Sequence, residues 1–233
     1  MELLADRSRS EASAALAGTW LAFCLALCLA LPQPLRLDYL AVGAAAGALV
    51  VVIGFAGTSR SRAHHPHDAS QRGRLTALSL LVGAALGAVL LSVLVALAQA
   101  EPRLRARFAG RLAEPAWRPW ALGFESSILE EVVFRLFAMS AIAWLVLHLT
   151  RRRRLATAIA LAASAALFAL AHVPAWSAAT PLSGSLVAGV LVLNGLAGLL
   201  LGSIFWRWGL PYAILCHLAG DVVVQSLGPR FLA

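Results

Sequence analysis

The sequence predicts an all-α, polytopic transmembrane helical bundle of about seven spans. Three observations carry that expectation. The 233 residues are 61% hydrophobic with a mean hydropathy of +0.81, whereas soluble domains sit near half apolar. The apolar residues fall in long runs, most of them close to the ~20 residues that cross ~30 Å of hydrocarbon. Short loops carrying arginines separate the runs. The whole chain, 1–233, reads as a single integral-membrane domain.

The expected spans are roughly 13–31, 38–56, 75–99, 120–149, 155–173, 184–206 and 210–227. The first resembles a signal peptide in position only. Its apolar core is long, no small-x-small cleavage site follows, and Pro32-Gln33-Pro34 reads as a turn, so it is expected to be a retained anchor. Cys24 and Cys28 lie four apart on one face of it, a poor geometry for a disulfide. With Cys216 they read as small core residues, and no disulfide framework is implied. Loop 57–74 holds His64, His65 and His67 without a Cys or acidic cluster to complete a metal shell, and reads as solvated loop.

Segment 101–118 carries Leu104, Phe108 and Leu112 at helical spacing, with arginines expected on the other side. That pattern predicts an interfacial amphipathic helix. The fourth span is long and must tilt, kink or emerge from the bilayer. Pro174 is expected to stop the fifth span just beyond His172. Gly189, Gly195, Gly198 and Gly202 in the sixth predict close helix packing, with Gly198-x-x-x-Gly202 as the small-residue pair. Asn194 there is expected to hydrogen-bond between helices.

The formal charge is +8 and the pI about 11.1, and all 19 basic residues are Arg. Nucleic-acid binding is not expected, because no basic soluble domain is present to carry it. The arginines sit in loops, where positive-inside sorting puts them. With the N-terminus inside, the inner segments hold eleven arginines and the outer ones seven. The chain is thus expected to be a multi-pass membrane protein with its N-terminus inside.

Three short patterns interrupt the apolar runs: Glu130-Glu131-x-x-x-Arg135, Phe168-x-x-x-His172 and His217-x-x-x-Asp221. Ionisable side chains at membrane depth are costly and mark functional sites. Glu131 and Arg135 are four apart, acid first, the favoured order for a helical ion pair. Glu130 is turned about 100° from Glu131, so it is the free carboxylate and the candidate general base. Phe168 and His172 share one face, as do His217 and Asp221. Asp221 either accepts from the His217 imidazole N–H, fixing its tautomer, or points with His217 at a reacting centre. Cys216 faces away from His217, His148 reads as an interface anchor, and Glu125 has no specific signal. Helix rise puts Glu130 and His172 about 30 and 27 Å from the Arg151–Arg154 cluster. His217 and Asp221 lie about 15 and 21 Å from Arg207. If both basic ends share a membrane side, the four residues fall in the opposite half and can converge.

These three motifs, in this order on separate spans, resemble the CPBP family of intramembrane proteases. That family includes Rce1-type CAAX-processing endopeptidases and bacterial Abi, or bacteriocin-processing, proteins. The resemblance covers roughly 120–227, the expected catalytic core. It implies that Glu130 activates water with His172 as its partner, and that His217 and Asp221 stabilise the oxyanion. Glu131, Arg135 and Phe168 would orient the site. The family also has Asn at the position of Asp221, and an ionised Asp cannot donate to an oxyanion. Asp221 must then be protonated or serve by orienting His217. Glu130, His172, His217 and Asp221 would also suit a Zn²⁺ shell, although the family leans to metal-free catalysis. The implied partners are the lipid bilayer and a protein or peptide substrate. Leader, bacteriocin or C-terminal sorting-signal (myxosortase-like) processing fits the Lys-free composition. Two rivals are a non-catalytic immunity or scaffold protein, and a proton- or metal-coupled transporter. Against the latter, no inverted repeat is visible.

Overall fold

A computed structural model of the protein describes residues 14–22, 24, 44–45, 47–52, 54, 56, 68–177 and 183–232. No strand occurs among them. Residues 14–22 and 47–52 are helical. The first two expected spans therefore fall on residues only partly described. Cys28 and the histidines of loop 57–74 lie outside the described residues.

Helix α1 spans Ala69–Ala100. The Asp68 side chain accepts from the Gln71 amide at 2.8 Å, and the Gln71 side chain accepts from the Asp68 amide at 3.1 Å. This reciprocal cap satisfies two amides the helix itself cannot. Helix α2, Pro102–Ala109, follows with proline in its first turn, where the missing N–H costs nothing. Helix α3, Arg118–Glu130, continues into a π-helical segment, Glu131–Met139, and then α4, Ser140–Thr150. Arg151, at φ 58°, ends that rod in a left-handed turn. Helix α5 spans Arg153–Ser177. Helix α6, Gly184–Trp208, is capped by the Ser183 hydroxyl, which accepts from the Leu186 amide at 3.3 Å. Gly209, at φ 106°, makes the sharp reversal that lets α7, Leu210–Leu232, begin at once.

Among the described residues, five helices are long and apolar enough to cross a membrane: Ala69–Ala100, Arg118–Thr150, Arg153–Ser177, Gly184–Trp208 and Leu210–Leu232. Small residues bring them together, as expected where lipid removes the hydrophobic drive between helices. A Cβ at Gly83 of α1 would overlap the Cys216 carbonyl of α7, and one at Gly87 would come within 2.5 Å of the Gly220 carbonyl. Backbone meets backbone here, so neither side chain nor helix can give way. This contact fixes the height of α7, which carries His217 and Asp221. Helices α5 and α6 meet in the same manner, with a Gly198 Cβ only 3.0 Å from the Ala165 Cα. Two apolar clusters fill the rest. One packs Ile128, Val132, Leu136 and Met139 against Leu201 and Phe205. The other packs Leu91 and Leu94 against Leu104, Phe108, Leu186 and Leu232.

Local details differ from the sequence expectations. Helix α5 runs through Pro174 to Ser177, because so near a helix end the ring removes a single backbone bond. Helix α2 ends at Ala109, which leaves Leu112 outside it and 58% exposed while Leu104 and Phe108 are buried. Asn194 donates to the Val190 carbonyl of its own helix at 2.8 Å rather than to a neighbour.

The glycine contact predicts a sharp contrast within α1. Gly83→Val should destabilise the fold by about 1–3 kcal/mol through overpacking. Gly73→Ala, whose Cβ meets nothing within 4 Å, should be neutral or stabilising. Unfolding in mixed micelles reads both; equal effects would contradict the packing described.

Candidate active site

The π-helical turn sets the site. π segments are rare, and their wide turns release backbone groups from the usual ladder. Two hydroxyls meet such groups: Ser164 of α5 donates to the Phe134 carbonyl at 2.7 Å, and Ser140 approaches the Arg135 carbonyl at 3.3 Å. Glu131 opens the segment and Arg135 lies within it, both wholly buried. Arg135 Nε stands 3.2 Å from Glu131 Oε2. The contact is an ion pair without hydrogen-bond alignment. The guanidinium also lies over the Phe168 ring, 4.2 Å from its centroid, a cation–π contact that strengthens when desolvated.

The other oxygen of Glu131 reaches a different helix. His217 Nδ1–H donates to Glu131 Oε1 at 2.9 Å. Glu131, not Asp221, therefore orients the His217 ring and fixes which nitrogen is committed. Of the two roles open to Asp221, pointing with His217 at a common centre is the one the geometry matches. A count of lone pairs could have revealed this bond, since one arginine contact leaves a buried carboxylate oxygen still needing a donor.

Phe168 links the groups from below. Its ring lies against His172, centroids 4.6 Å apart, and edge-on to His217 at 5.9 Å. Its carbonyl accepts from His172 Nδ1–H at 2.7 Å. The i, i+4 spacing of Phe168 and His172 makes that hydrogen bond possible within one turn of α5.

Both imidazoles thus have Nδ1 occupied and present Nε2 to Glu130. Glu130 Oε2 stands 3.6 Å from His172 Nε2 and 3.7 Å from His217 Nε2. His217 Nε2 also lies 3.7 Å from Asp221 Oδ1. These separations exceed direct hydrogen bonds. The Asp221 carboxyl is hydrogen-bonded to Ser126 Oγ of α3. Ser126 lies four residues before Glu130 on the same helix face, a spacing that marks it in the sequence although no motif does. Glu130, at 26% side-chain exposure, borders a cavity of about 300 Å³, whereas Glu131 is sealed at 0%. His172, His217, Asp221 and Ser126 line the same cavity. Its walls include Leu94, Val190 and Leu193, which suit an apolar chain.

The remaining candidates stand apart. His148 stacks on Trp144, centroids 5.9 Å apart. Cys216 is buried against α1. Glu125 is half-buried and not among the cavity-lining residues. Among the described residues, no group of three or more His, Cys, Asp or Glu side chains is set to hold a metal ion.

Residues 112–223 match the family model described as Type II CAAX prenyl endopeptidase Rce1-like. This segment is Rce1-like. It contains all three motifs and every member of the quartet Glu130, His172, His217 and Asp221. The resemblance to CPBP proteases rests on the same stretch. The described helices make a multi-pass membrane protein, and its segment 112–223 is similar to CAAX-type proteases. No curated protein and no solved structure matches the chain.

The buried pair gives a stability prediction. Arg135→Ala should cost about 3–5 kcal/mol, because it strands the Glu131 carboxylate at depth. Arg135→Lys should recover part of that, since a lysine restores the charge but not the planar stack on Phe168. Chemical unfolding of the purified variants measures both; an Arg135→Ala loss below about 1 kcal/mol would contradict a sealed ion pair.

Proposed function

We propose that the chain is an intramembrane endopeptidase in which Glu130 activates water against a peptide carbonyl. One observation supports this most: a cavity-facing carboxylate lies within 3.7 Å of imidazole nitrogens from two other helices. A water held between Glu130 Oε2 and His172 Nε2 donates a hydrogen bond to each and turns a lone pair to the substrate. Glu130 takes the proton as the O–C bond forms, and the tetrahedral intermediate carries an oxyanion. Collapse breaks the C–N bond, and the proton passes from Glu130 to the leaving amine.

The oxyanion needs a donor. His217 Nδ1–H is committed to Glu131, so Nε2 donates only when the ring carries both protons. In the proposed step His217 acts as the imidazolium, with the Glu131 and Asp221 carboxyls beside the ring. Its attraction to the developing oxyanion is the kind of preorganised electrostatics that dominates acyl transfer. Asp221 is held in turn by Ser126. The proposed mechanism is acid–base chemistry carried by the four side chains themselves. The substrate is a membrane-associated or exported protein or peptide, cut in leader, bacteriocin or C-terminal sorting-signal maturation. The host membrane is a bacterial inner membrane, and 120–227 is the catalytic core of a single domain, 1–233.

Terminal-peptide proteomics of source cells tests this, comparing wild type with Glu130→Gln at matched protein level. Specific exported or membrane proteins should lose a processed terminus in the variant. Unchanged termini, alongside a phenotype on removing the whole protein, would instead favour the immunity or scaffold role.

A further inference from the structure

The end of the bundle away from the quartet carries a second cavity. It holds about 440 Å³ and lies where the ends of α4, α5 and α6 meet. Ala143 and Leu147 line it from α4, Arg153, Arg154 and Ala156 from α5, and Trp206 from α6. Arg151 and Arg152 alone join α4 to α5. The left-handed backbone of Arg151 makes so short a turn possible, and it sets both helix ends at one level. Ala143 and Ala156 are buried and floor the cavity. Trp144, Leu155 and Ile159, beside it in sequence, are exposed on helices long and apolar enough to cross a membrane. The surface around the cavity is therefore one that lipid covers.

Charge and polarity change along the cavity. Arg153 and Arg154 stand at the very start of α5. From the end of α4 at Thr150, the apolar lining reaches back through Leu147 to Ala143, about 10 Å into the span. Among the described residues, Arg118 and Arg135 pair with carboxylates, whereas Arg153 and Arg154 pair with none. Positive-inside sorting puts this end of the bundle on the cytoplasmic side, where anionic lipids give the membrane surface its negative potential. Guanidinium groups hold phosphate oxygens through paired N–H donors, and tryptophan favours the level of the lipid headgroups. A cationic mouth with an apolar run behind it matches a molecule with an anionic head and an acyl chain. A free phosphate would leave the apolar run empty. A zwitterionic lipid would bring its own cation to two arginines.

We propose that this cavity binds one anionic phospholipid, with its phosphate on Arg153 and Arg154 and an acyl chain along Ala156, Leu147 and Ala143 beside Trp206. The lipid would tie the ends of α4, α5 and α6 together on the side opposite the quartet. The site is independent of the proteolytic function proposed above, because no member of the quartet lines this cavity.

Native mass spectrometry of the full-length protein in neutral detergent tests the site. Phosphatidylglycerol and phosphatidylcholine with the same acyl chains are offered together in equal amounts. One phosphatidylglycerol should be retained with a preference of about tenfold or more, the scale of a charge-assisted hydrogen-bonded pair. Arg153→Gln combined with Arg154→Gln should bring the two lipids to within about twofold of each other. Arg151→Gln combined with Arg152→Gln removes the same charge from the same cluster but not from the cavity. That pair should keep the preference within about threefold of wild type. Arg153→Lys with Arg154→Lys should keep part of it, since the charge remains and the planar fork is lost. Melting temperatures confirm that each variant is folded. Equal retention of the two lipids overturns the site. Equal losses in the two glutamine pairs also overturn it, in favour of general attraction to a basic surface. Displacement of the lipid by excess inorganic phosphate would overturn the lipid as occupant, in favour of a soluble phosphate.

Discussion

A carboxylate sealed at membrane depth must be neutralised, and Glu131 is neutralised from two directions. Arg135 holds one oxygen from the same helical segment, and His217 Nδ1–H holds the other from α7. The second contact joins the fourth expected span to the seventh across 86 residues of sequence. Breaking either would leave one buried carboxylate oxygen without its partner where water cannot replace it. The adjacent Glu130 is then left facing the two imidazoles and the cavity, because its neighbour carries the structural charge.

Phe168 extends the same constraint to α5. One side chain supplies the ring under Arg135 and the wall against both histidines, while its carbonyl fixes His172. The π-helical turn makes this possible by widening the helix where Glu131 and Arg135 must lie against two neighbours. Ser164 compensates the Phe134 carbonyl at that turn, so α5 both satisfies the distortion and carries His172. Backbone-to-backbone contact at Gly83 and Gly87 holds α7 at the height where His217 meets Glu131. Rigid supports of this kind are what a site with sub-ångström tolerances requires.

The seven motif residues were legible because charged groups stand out against apolar runs and because i, i+4 spacing fixes a shared face. The helical bundle was legible from run length alone. What stayed hidden depends on contacts between helices. The bond from His217 to Glu131 joins residues that no local spacing relates. Ser126 looks like any helix serine until Asp221 is brought to it. The π segment leaves no mark in an apolar stretch. Gly83 and Gly87 have the small-residue spacing, yet only the structure shows that Cys216 and Gly220 face them. Arg107 and Arg111 were misassigned by following Leu112: Arg107 lies over Trp176, and Arg111 donates to Gln225. With Leu104 and Phe108 they complete the i, i+3, i+4, i+7 set of one helix face, which is the buried one.

The central claim is that Glu131 and His217 act as one unit in placing the reactive groups. A double-mutant cycle tests it most directly. Turnover of a substrate identified in cells is measured for wild type, Glu131→Gln, His217→Gln and the double variant, each checked for folding. Residues that work as a unit lose activity non-additively. The double variant should be no slower than the slower single variant, within about threefold. Losses that multiply across the two substitutions would show independent contributions and contradict the account.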